Sequence, residues 1–101
     1  MLSATEERIR RDVVAAIDHL LREEMGEFGL KAVSVSAAED HDGDPVLMVE
    51  AEYGPDGAPV EPRKVARLAT KLRELLWNLG ERRFPHIRHH FASDQRIAGY
   101  S

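Results

Sequence analysis

Three of the five histidines fall in one short run, His86-Ile87-Arg88-His89-His90, and imidazoles that close together invite a test for metal binding. The run reads as a strand, in which alternate residues share a face and each residue rises about 3.3 Å. His86 and His90 then share a face but stand roughly 13 Å apart, while His89 points the opposite way. A zinc–imidazole bond spans about 2.0–2.1 Å, so no pair in the run closes on one ion without ligands from elsewhere. No metal site is predicted. His86, Arg88 and His90 are expected instead on an outer sheet face, across from Glu50 and Glu52 of a neighbouring strand. His89 is expected to turn into the core and be satisfied there by a hydrogen bond.

Other chemistry-bearing patterns fail on spacing. Asp40, Asp42 and Asp44 resemble the start of a calcium loop, which needs Gly at its sixth position and Glu at its twelfth. Pro45 and Ala51 stand at those positions, so the segment reads as an acidic turn. Ser93-Asp94 near His89 and His90 lacks the strand-to-helix elbow that activates a serine. Gly54-Pro55-Asp56-Gly57 is acidic and is followed by Ala-Pro, where a phosphate loop requires Lys and Ser or Thr. The chain has no cysteine, which excludes thiolate catalysis, disulfides and Cys-ligated zinc. No catalytic residue and no cofactor are predicted.

Two surface features remain. Trp77 projects roughly 140° away from the centre of the apolar stripe on its predicted helix, with Arg73 one turn earlier. Trp and Arg are enriched among residues that dominate protein interfaces. Trp77 and Arg73 are therefore predicted to belong to a partner interface, together with Met48 on the second sheet row and Tyr100 near the C-terminus. Ile97 or Tyr100 folding back over Trp77 is the competing expectation. The second feature is a crowd of cations on the same helix and beyond it. Lys64, Arg67, Lys71, Arg82, Arg83 and Arg88 would serve an alternative function, nucleic-acid binding. The chain as a whole is acidic, with pI near 5.7, and Glu74 and Glu81 interrupt that basic face.

The elements that must position these residues follow from periodicity. Ser3-Ala4-Thr5-Glu6 fits a capping box, and Ile9, Val13, Ala16, Ile17, Leu20 and Leu21 recur at helical spacing. The pattern predicts a first helix to about Met25, ended by Gly26, with an apolar arc wide enough to touch more than one neighbour. Leu30–Ala38 and Val46–Tyr53 alternate as strands around an Asp-Gly turn. In the second strand, Leu47, Val49, Ala51 and Tyr53 form one row, and Val46, Met48, Glu50 and Glu52 the other. Pro62 opens a second helix running to about Leu79, with Gly80 after it. Phe84-Pro85 is expected to break the helix before a third strand, His86–Phe91.

The α-β-β-α-β order predicts an α+β fold, a small three-stranded sheet with two helices packed on one face. Its 101 residues are expected to form a single domain, with 92–101 a polar C-terminal tail. No apolar run is long enough to span a bilayer. Met1–Glu7 turns acidic at once, so no signal peptide is read there and a cytoplasmic protein is expected. Residues 1–62 carry five Lys/Arg and fifteen Asp/Glu, while residues 63–101 carry nine and three, so the overall charge of −4 conceals an acidic part and a basic part. The two are expected either to neutralise each other within the fold or to face partners. The sequence thus predicts a small interaction or accessory module, expected to homodimerise through an edge or the open face of its sheet.

Overall fold

The computed structural model describes residues 8–92. Both helices are set by one spacing. In α1 (Arg11–Met25), Val13, Ile17 and Leu21 follow each other at four-residue intervals, and all three are fully buried. In α2 (Pro62–Asn78), Leu68, Leu72 and Leu76 repeat the pattern. Residues four apart stack on one helix face, so each helix offers a ridge of branched side chains. The ridges meet over a row of the sheet formed by Leu47, Val49, Ala51 and Tyr53, each of them buried.

That row belongs to β2 (Pro45–Tyr53), the central strand of three. β1 (Leu30–Glu39) pairs with it antiparallel, and β3 (Phe84–His90) pairs with it parallel on the other side. The parallel pairing requires a crossover, which α2 supplies. The fold is α+β in the order α-β-β-α-β, with both helices against the Leu47–Tyr53 row. As the wide apolar arc of the first helix implied, α1 packs on both α2 and β1.

Several boundaries differ from the sequence expectations. The capping box Ser3–Glu6 lies outside the described residues, and the described helix begins at Arg11 with Arg10 as N-cap. Arg10 makes no side-chain cap. Asp12 serves the first turn instead, accepting from Val13 N–H at 3.0 Å and pairing with Arg10 at 2.7 Å. The α-helix ends at Met25 with Gly26 as its C-cap, as expected, but Gly26 is right-handed rather than left-handed. A 3-10 turn over Gly26–Phe28 follows, and the left-handed stop is Gly29 at φ 84°. Phe84 and Pro85 belong to β3 and open it. A strand paired on one side only tolerates proline, whose missing N–H removes no ladder bond when it faces outward.

The turn at residues 26–29 anchors the loop that follows β2. Gly54 N–H donates to Gly29 C=O at 2.9 Å, and Ala58 N–H donates to Glu27 C=O at 3.0 Å. Between them Gly57 lies so close to Phe28 and Gly29 that a side-chain carbon would collide with backbone atoms of both. Gly43, in the hairpin turn, is different: it has a left-handed φ of 83° but open space around it. Gly57→Ala should therefore cost at least about 3 kcal/mol, since the obstruction is backbone and cannot rotate away. Gly43→Ala should cost only about 1–2 kcal/mol, the left-handed penalty alone. Urea denaturation of the two variants beside the parent chain checks the ordering.

Candidate interaction surface

The end of α2 is built by a glycine cap. Gly80 adopts φ 77°, its N–H donates to Trp77 C=O at 3.1 Å, and Glu81 N–H donates to Leu76 C=O at 2.9 Å. These are the two bonds of a Schellman motif, and they reverse the chain sharply out of the helix. Glu81 then clasps Arg83 bidentately, at 2.8 and 2.9 Å, and accepts from its backbone N–H at 3.0 Å. The Arg83 hydrogen bond holds the Glu81 carboxyl below its ordinary range, despite the opposing effect of burial. Only 12% of the Arg83 side chain and 9% of the Glu81 side chain are exposed. The linker is thus fixed, and Phe84 enters β3 beside the last turns of α2.

Trp77 stands there 80% exposed, and Phe84 49% exposed. The Arg73 guanidinium lies over the Phe84 ring at 6.0 Å from its centroid, the outer limit for a cation–π contact. Arg73, Trp77, Glu81, Arg82, Phe84 and Pro85 line an open cleft of about 310 Å³. A large exposed aromatic surface rimmed by charge marks an interaction site more often than an isolated apolar residue does. The structure therefore brings together Trp77 and Arg73 as the sequence implied. Met48 lies elsewhere, on the sheet face away from the helices and opposite His86 in the strand register. Tyr100 and Ile97 lie outside the described residues. Phe84, which the sequence marks only as part of a helix break, joins Trp77 and Arg73 here.

The cations divide into two groups. Lys71 pairs with Glu24 at 3.0 Å, Arg67 reaches the same carboxylate at 3.8 Å, and Lys64 reaches Glu27 at 3.9 Å. Glu24 is the best covered of these groups, with 13% of its side chain exposed. The Lys71 hydrogen bond depresses its carboxyl most, with Arg67 and Lys64 adding to the effect. With Arg83 held by Glu81, four of the six cations proposed for nucleic acid are engaged within the fold. Arg82 and Arg88 make no ion pair among the described residues, and neither does Arg73.

The histidines sit where alternation placed them. Arg88 faces Glu50 and His90 faces Glu52 in the β2–β3 register, and His90 Nε2 approaches Glu50 Oε1 at 2.8 Å. His86 leans on Phe84, with ring centroids 5.2 Å apart. His89 turns to the other face, where Nδ1 and the Tyr53 hydroxyl are 2.8 Å apart and Phe91 stacks nearby. The Asp40, Asp42 and Asp44 carboxylates come within 4.8 Å of one another. Asp40 Oδ1 already serves the turn, accepting from the N–H groups of Asp42 and Asp44 at 2.9 Å each.

Comparison with protein-family models, curated proteins and solved structures found no match.

His89 links pH to stability. Burial lowers its basicity, and neighbouring His90 lowers it further. Its Nε2 is buried with no hydrogen-bond partner, so a second proton would gain nothing there. The unfolded chain therefore takes up a proton more readily than the folded one, and stability falls with acidification. The contribution of neutral His89 is intact above the ordinary imidazole value of 6.5 and is lost as pH falls through its lowered value in the fold. His89→Phe should flatten that dependence between about pH 7.5 and pH 5, as read from melting temperatures of the variant and the parent chain across the range.

Proposed function

We propose that this protein is an interaction module that engages an acidic, apolar segment of a partner protein on the α2–β3 surface around Trp77. The observation that carries the proposal is the 80% exposure of Trp77 beside a cation-capped aromatic, Phe84. An exposed indole has much apolar surface to gain by burial, and Trp and Arg are both enriched among the residues that anchor interfaces. Arg73 and Arg82, free of carboxylates among the described residues, supply charge for an acidic side chain of the partner. The rigid Glu81–Arg83 clasp lowers the ordering cost of binding, since this part of the surface is already held in shape.

Binding to single-stranded nucleic acid is the competing use of the same surface, because bases stack on exposed aromatics. The engagement of Lys64, Arg67, Lys71 and Arg83 by acidic side chains favours the protein partner. Phosphate binding depends on cations free to replace counterions.

Trp77 is the sole tryptophan, so its fluorescence reports this surface alone. The free protein should show solvent-type emission that iodide quenches efficiently. Peptides selected from a displayed library against the parent chain should be acidic and apolar, and their binding should shift Trp77 emission to the blue. Trp77→Ala should weaken the selected peptides by about 2 kcal/mol, roughly thirty-fold, and Arg73→Ala by less. Selection of basic peptides, or binding indifferent to Trp77, would overturn the assignment. A salt-sensitive emission change on adding a mixed-sequence single-stranded oligonucleotide would transfer the surface to nucleic acid.

A further inference from the structure

The two edges of the sheet are treated differently. β3 closes one edge with Pro85 near its start and with Arg88 and three histidines along it. Proline and charge are the usual means by which an edge strand avoids pairing with another chain. β1 forms the other edge and is the longest strand, yet Ala32-Val33-Ser34-Val35-Ser36-Ala37-Ala38 contains no charge, proline or glycine. Lys31 and Glu39 bracket that stretch without entering it. Among the described residues nothing pairs with its outer side.

A groove runs beside this edge on the helix face. Ile9, Val14 and Ala15 form one wall, and Val33 and Val35 form the other, in a space of about 400 Å³. Val14 is 37% exposed, and Val33 and Val35 are only half-buried. The core therefore opens toward solvent at the place where the sheet has a bare edge.

The charges on that groove are arranged for a second copy. Arg11 and Asp18 also line it, and they lie at equal distances along α1 on either side of Val14-Ala15. At about 1.5 Å per residue each stands roughly 5 Å along the helix from that midpoint. A two-fold axis perpendicular to the sheet, passing between two β1 strands, would set two α1 helices antiparallel across the groove. It would bring each Arg11 against Asp18 of the other copy, twice over. Arg11 makes no ion pair among the described residues, while Asp18 pairs with Arg22 at 3.0 Å and would be shared. Self-complementarity of this kind is the requirement of an isologous interface.

We infer that the protein homodimerises by antiparallel β1–β1 pairing, giving a six-stranded sheet with Val14 and Ala15 of both copies at the centre of the interface. This names the surface for the homodimer expected from the sequence and is independent of the Trp77 cleft. The test is the mass in solution by size exclusion with light scattering across a concentration series. The folded state of each variant is checked by circular dichroism.

The parent chain should be a dimer. Val14→Glu, at an already exposed position, should raise the dimer dissociation constant at least about ten-fold by placing two carboxylates on the axis. Arg11→Glu alone should weaken the dimer, and adding Asp18→Arg to it should restore the association by exchanging both partners of the pair. Trp77→Ala should leave the mass unchanged. A monomer at every concentration would overturn both the inference and the homodimeric expectation. A dimer indifferent to Val14→Glu would overturn this interface while leaving a homodimer through another surface.

Discussion

The structure depends on β2 being hydrogen-bonded along both of its edges. A strand buried under two helices has no water to satisfy its backbone, so every N–H and C=O must find a protein partner. β1 satisfies one side and β3 the other. With both sides closed, Leu47, Val49, Ala51 and Tyr53 can go into the core without stranding polar groups. The two helix ridges then have a floor to pack on. The parallel partner dictates the rest, because reaching it obliges the chain to cross over as α2 and to leave that helix by a sharp reversal. Gly80 and the Glu81–Arg83 clasp are the local solution to that demand. They also set Phe84 beside Trp77, so the candidate surface is a by-product of closing the second edge.

The division of charge along the chain has a structural explanation in part. Acidic Glu24 near the end of α1 and Glu27 in the 3-10 turn after it face basic Lys64, Arg67 and Lys71 of α2. Glu50 of β2 faces Arg88 and receives His90 from β3. Early acid and late base are thus brought together by the fold. Pairs as exposed as Lys64–Glu27 contribute little stability, but they fix which helix faces lie together. Of the cations that make no ion pair among the described residues, Arg73 and Arg82 border the Trp77 cleft.

Most of the architecture was legible because it rests on period. The four-residue stripes of both helices, the alternation of β2 and the roles of His86, His89, His90, Glu50 and Glu52 all follow from which side chains share a face. Pro62 and Gly80 marked the bounds of α2 through backbone chemistry alone. The errors fell where tertiary contacts decide. The first helix ends at Met25 as Gly26 signalled, yet the left-handed residue is Gly29, one 3-10 turn later, where the loop at Gly54–Ala58 pins the backbone. Pro85 signalled a helix break, yet an edge strand admits it. For the position of β3 beside β2 the only pointer was charge, the basic run His86–His90 set against Glu50 and Glu52; the backbone groups of either hairpin edge are alike. Phe84 was overlooked because its partnership with Arg73 exists only after the chain has reversed at Gly80.

The chain order also bears on how the molecule assembles. β1 and β2 are neighbours in sequence and can zip together early around the Asp40–Asp44 turn. β3 arrives only after the thirty residues 54–83, and non-local pairings of this sort form late because loop closure must precede any gain. During synthesis the hairpin therefore exists for a time with the far side of β2 bare and its apolar row uncovered by α2. That interval is when the chain is most prone to associate wrongly with other nascent chains. It ends with the docking of seven residues, and the first of them is the aromatic that borders the candidate binding surface. Completion of the fold and appearance of that surface are then a single event.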